Sequence, residues 1–281
     1  MPHTFPLSGA WTATTLITIV FIILYPLVLA AFVRQRFAVR WKYFGFGALI
    51  FFLFQIISRI PLTTAIQVVL TPQLKTSPIL LYLWLGILAV TVGLFEEVGR
   101  YVGYRWLMRR EEKTWNKAVM YGLGHGGLKS ILLVGGSTLL SFVTLSIFAS
   151  NLDLVPVSQR ATIIEQLQNI NTTPAWVQLF LAWERLWIIP INVALSVMVL
   201  QVFRERSIKW LWLAVLWHSV VDGVSVALPQ VIVADKVMMG LIIEGVVAVF
   251  GLIAFWIIWL LRDRPEKVQV PAEQTPLQVL P

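Results

Sequence analysis

The sequence predicts an all-α fold, a polytopic transmembrane helix bundle of about seven spans with the N-terminus outside and the C-terminus cytoplasmic. Three observations predict it. Of the 281 residues, 58% are hydrophobic and only 13% charged, with a mean hydropathy of +0.80, whereas a typical soluble domain is about 25% charged. The apolar residues fall in runs at least as long as the roughly 17–25 residues a bilayer core requires. Finally, Lys and Arg gather in alternate connections between those runs, as they do when one side of the membrane holds the positive loops.

Taken in order, the spans are expected at 13–33, 43–69, 79–104, 116–149, 175–203, 210–228 and 237–261. The first lacks a basic stretch before it and is long enough to cross, so it reads as a span and not as a cleavable signal. The fourth is longer than a bilayer needs. It is expected to tilt, to extend beyond the membrane, or to break near Gly122–Gly127, where four glycines fall in six positions. Between the fourth and fifth spans, residues 151–173 are polar and form the largest outer loop, with a short surface helix expected near 161–168. Many of the thirteen tryptophans lie near run ends, where their rings suit the water interface.

Charge sets the orientation. Fifteen Lys and Arg fall on one side: Arg34, Arg36, Arg40 and Lys42; Arg105, Arg109, Arg110, Lys113 and Lys117; Arg204, Arg206 and Lys209; Arg262, Arg264 and Lys267. Only Lys75, Arg160 and Lys236 fall on the other. This pattern accounts for the net charge of +8 as membrane topology and argues against a nucleic-acid partner. The expected location is the cytoplasmic (inner) membrane, multi-pass. Residues 1–264 form one transmembrane helical domain, and 265–281, with four prolines in a mostly polar run, form a disordered cytoplasmic tail. The absence of cysteine excludes disulfides, thiolate metal sites and a cysteine nucleophile.

Ionisable groups are costly at bilayer depth and mark functional sites there. With a rise of about 1.5 Å per residue, Glu96, His125 and His218 each lie roughly 12–14 Å from the cytoplasmic boundary. Asp222 follows His218 by one turn on the same face. Glu97 and Glu96 precede Arg100 by three and four residues, within pairing reach. A second, outer layer of Arg59, Glu184, Arg185 and Glu244 reads as structural ion pairing. The inner layer suits hydrolysis, with a buried carboxylate as base toward water and an imidazole to orient it or stabilise an oxyanion. Glu96, His125 and His218 could equally hold zinc with a fourth position for water, although no HExxH helix is present. No cofactor is required by the first reading; zinc belongs to the second.

At these residues the sequence resembles a family. EEVGR, GLGHGG and HSVVD, in that order on successive helices, resemble the motifs of the glutamate-type intramembrane proteases, among them the CAAX prenyl endopeptidases and their bacteriocin-processing bacterial relatives. FQIISRIP, WERLW and NVALSVMV further resemble the YhfC family of membrane peptidases, and the likeness spans most of residues 10–262. The resemblance implies a peptidase acting on a membrane-anchored peptide or protein among membrane lipids. It makes Glu96 the base with His125 beside it, His218 and Asp222 the oxyanion side, and Glu97 with Arg100 the support. Two positions depart from the family pattern: Lys129 stands where an acidic residue is usual, and Asn192 where a histidine is usual. The alternative is therefore a catalytically inactive member serving as a subunit of a membrane complex, in which Lys129 fills the site and is salt-bridged. If the site is active, Lys129 is expected to pair with Asp222 or Glu97.

Overall fold

A computed structural model describes residues 4–263; the expected tail at 265–281 lies outside the described residues. Seven helices are long and apolar enough to cross a membrane. They are α1 (Gly9–Phe37), α2 (Lys42–Thr76), α3 (Pro78–Leu107), α4 (Trp115–Ser150), α6 (Ala175–Arg204), α7 (Lys209–Val231) and α8 (Lys236–Leu260). A surface helix, α5 (Arg160–Thr172), lies between α4 and α6. No strand occurs among the described residues, and the chain is a multi-pass membrane protein.

Local chemistry sets the helix starts. Ser8 caps α1 through its hydroxyl, which accepts from the Trp11 amide. Ser77 caps α3 in the same way, with Pro78 supplying a first-turn residue that has no amide to leave unpaired. Asp235 caps α8, accepting from Val237 and Met238 at 2.9 and 3.0 Å.

The centre of the bundle is α6. Every residue from Ile189 to Val202 is buried, as befits a helix that is apolar all round. On one side α4 packs against it, itself buried from Ala118 to Gly127. The packing order is α2 on α4, α4 on α6 and α6 on α8, with α3 against α7 and α1 against α4. Lipid-facing apolar residues such as Ile17, Val28 and Leu140 remain on the outer surface.

Two expectations change. The glycines at 122–127 do not break the fourth span; the helix runs through them. They are contact points: a Cβ on Gly126 would stand 2.6 Å from Asn192 Cβ, so α4 and α6 approach more closely than any larger residue allows. The irregularity comes later, as a π-helical segment at Ser130–Gly136, and two more occur at Phe52–Arg59 and Gly103–Leu107. The segment between α4 and α6 is also more ordered than a polar loop. Leu152, Val155 and Leu167 pack with Ala149, Phe5 and Leu7 into a small apolar cap, and its helix extends over Arg160–Thr172.

Candidate functional site

The eight inner-layer residues singled out in the sequence come together in the structure. Glu96 and Glu97 sit on α3, where their side chains diverge: Glu96 turns toward α4 and Glu97 toward α7. The α3–α7 contact is close because Gly93 admits it; a Cβ there would meet Ser219 Oγ at 2.5 Å and the Val215 carbonyl oxygen at 2.7 Å. That approach brings His218 to the paired carboxylates.

Glu96 is fully buried. Its Oε1 accepts from Lys129 Nζ at 2.9 Å. Its Oε2 lies 3.0 Å from His125 Nε2, 3.7 Å from Arg100 Nη2 and 3.9 Å from His218 Nε2. Glu97 Oε1 takes the Arg100 guanidinium through Nη1 and His218 Nδ1 at 2.7 Å. With Nδ1 on Glu97, His218 turns Nε2 toward Glu96 and toward Asp222, whose Oδ2 is 3.7 Å away. Both spacings exceed a direct hydrogen bond. Asp222 is the partly exposed member of the cluster, with 29% of its side chain accessible.

Arg100 is held on three sides. Beyond Glu97 it donates to Asn192 Oδ1 at 2.7 Å and, through Nε, to Ser196 Oγ at 3.2 Å. Asn192 in turn donates from Nδ2 to the Ile188 carbonyl at 2.9 Å, which fixes the oxygen toward the guanidinium. Two further residues shape the site: Ser196, and Phe51, whose ring meets the His125 ring edge-on at 5.3 Å. Ser196 was legible as the residue one turn beyond Asn192 on the same face. Phe51 carried no polar signal.

Lys129 pairs with neither Asp222 nor Glu97, as the sequence had suggested, but with Glu96. The reason is position: Lys129 lies one turn beyond His125 on the α4 face that looks onto α3. Of the second layer, Arg185 pairs with its neighbour Glu184 at 2.6 Å, whereas Arg59 donates to the Leu88 carbonyl at 2.7 Å and to Thr91 Oγ1 at 3.3 Å. Glu244 is buried, with Oε2 free of any hydrogen-bond partner among the described residues.

Zinc would require ligand atoms about 2.0–2.2 Å from one centre. Among the described residues no group of three or more His, Asp or Glu is arranged to hold a metal ion. His218 has the carboxylate partner on its second nitrogen that metal-bound histidines favour, but His125 Nδ1 has none. Two cations, Lys129 and Arg100, already stand at the Glu96 oxygens. The residues present do not fit a divalent metal.

A family model described as YhfC intramembrane metalloprotease matches residues 21–244. The curated protein described as uncharacterized membrane protein YhfC, from Bacillus subtilis (strain 168), is 27% identical over 245 residues, covering 84% of this chain and 90% of its own length. No solved structure matches the chain.

Proposed function

The chain belongs to the YhfC intramembrane metalloprotease family, and from that premise we propose that it hydrolyses a peptide bond of a membrane-anchored peptide or protein, with Glu96 activating water. The observation that carries this reading is the convergence of Glu96, His125, His218 and Asp222 from three helices on one cluster, with His218 Nε2 turned toward Glu96 Oε2 at 3.9 Å, beyond a direct hydrogen bond. A water there donates to Glu96 Oε2, and the carboxylate takes its proton as the oxygen attacks the peptide carbonyl. His125 holds the carboxylate from the other side. His218, oriented by Glu97 and backed by Asp222, supports the oxyanion side of the tetrahedral intermediate. On collapse, Glu96 returns the proton to the leaving nitrogen. No step needs a metal.

The Lys129–Glu96 ion pair favours a second reading, in which the site is closed and the chain acts as an inactive subunit of a membrane complex. Comparing membrane proteomes of cells carrying the parent or Glu96→Gln tests the two. Under the first reading, at least one membrane protein accumulates uncleaved in Glu96→Gln, and its fragments appear with the parent. Identical fragment patterns, with both proteins folded and present at equal levels, would instead favour the inactive subunit.

A further inference from the structure

Lys129 has no assigned part in the hydrolytic scheme, yet it occupies one of the two oxygens of its base. Its ammonium reaches Glu96 Oε1 at 2.9 Å from a side chain that is 18% exposed, while the carboxylate is wholly buried. Glu97 and Arg100 are wholly buried as well. Counting charges over Glu96, Glu97, Arg100 and Lys129 gives two negative and two positive, and hence a neutral set. Asp222, partly open to solvent, stands apart from it.

Ions removed from water are costly unless paired in place, so this neutrality limits what else the site can hold. A divalent cation among Glu96, His125 and His218 would carry the set to +2. It would also stand beside the Arg100 guanidinium, which is 3.7 Å from Glu96 Oε2. That guanidinium cannot swing aside without giving up Glu97, Asn192 and Ser196 together.

We propose that Lys129 is a built-in cation that takes the place of a divalent metal at Glu96, so that this member of a family named for metalloproteases assembles its site without one. The inference concerns what fills the site and stands whether or not the site cleaves peptides.

The test uses the full-length chain purified in lipid nanodiscs, its metal content read by mass spectrometry, with zinc titration by calorimetry and thermal unfolding with and without chelator. The parent is expected to carry less than about a tenth of an equivalent of zinc, iron or manganese, and chelator leaves its Tm unchanged. Lys129→Glu takes the buried set from neutral to −2, which a dication neutralises. It is expected to bind one zinc at least about a hundredfold more tightly than the parent does, with a chelator-sensitive Tm. Lys129→Met keeps length but removes the charge, leaving Glu96 without its closest cation, and is expected to lower Tm. A parent that holds an equivalent of metal, a folded Lys129→Glu that binds zinc no better than the parent, or a Lys129→Met of unchanged Tm would each overturn the proposal. Should Lys129→Glu not fold, the parent's metal content and Lys129→Met decide.

Discussion

The two adjacent glutamates have different partners, and substitution is expected to separate them. Glu97 pairs with Arg100 and holds His218 by Nδ1, so Glu97→Gln removes the nearest counter-charge of a buried guanidinium and leaves only Glu96 at 3.7 Å. Breaking a buried pair from one side costs about 3–5 kcal/mol, and Glu97→Gln is expected to lose stability of that order in denaturant or thermal unfolding. A Glu97→Gln protein as stable as the parent would contradict the support role. Glu96→Gln keeps shape and can still accept from Lys129, but it cannot take a proton from water; its expected effect is loss of cleavage with the fold intact. The sequence marks Glu96, Glu97 and Arg100 clearly, because charges inside apolar runs have few structural reasons to be there. It could not reveal which carboxylate Lys129 would choose. A four-carbon side chain reaches several neighbours, and the register of α4 against α3 decides among them.

At the scale of elements, the spans were legible from run length. The path of α4 was not: four glycines in six positions signal a weak point or a close approach equally well, and only the packing of α2 and α6 against them distinguishes the two. Gly126→Leu is expected to destabilise the protein by about 1–3 kcal/mol, the usual cost of overpacking, because its side chain must displace Asn192 and with it a partner of Arg100. An unchanged Tm would mean that the α4–α6 approach is not tight. The π-helical segments left no periodic trace in the apolar runs. Between α3 and α4, Glu111 binds Lys42 and accepts from Tyr43 at 2.8 Å, fastening that connection to the start of α2. The hydrogen bonds from Lys42 and then Tyr43 hold its carboxyl below the ordinary value of 4.5. A depressed carboxylate contributes stability above its unfolded pKa and loses it as pH falls through the folded value. The Tm difference between parent and Glu111→Gln is therefore expected at neutral pH and closes as pH falls through that lowered value; a difference that widens on acidification would contradict the clasp.

For the whole molecule, seven spans put Phe5 and Asp263 at opposite faces, Phe5 in the cap beside Ala149 and Asp263 against Arg204. The charge asymmetry, fifteen Lys and Arg on one side against three on the other, predicts that the Asp263 face is the cytoplasmic one. A reporter fused after Arg262 is expected to read as cytoplasmic, and an external reading would invert the topology. With that orientation the Glu96 layer is expected in the cytoplasmic half of the bundle, and under the proposed function a membrane-anchored substrate is expected to be cut near its cytoplasmic boundary. The most direct measurement is cleavage of such a substrate by the purified protein in nanodiscs, parent against Glu96→Gln, each with chelator present. A water activated by Glu96 in a metal-free site predicts chelator-resistant cleavage by the parent and none by Glu96→Gln. Cleavage retained by a folded Glu96→Gln would contradict it.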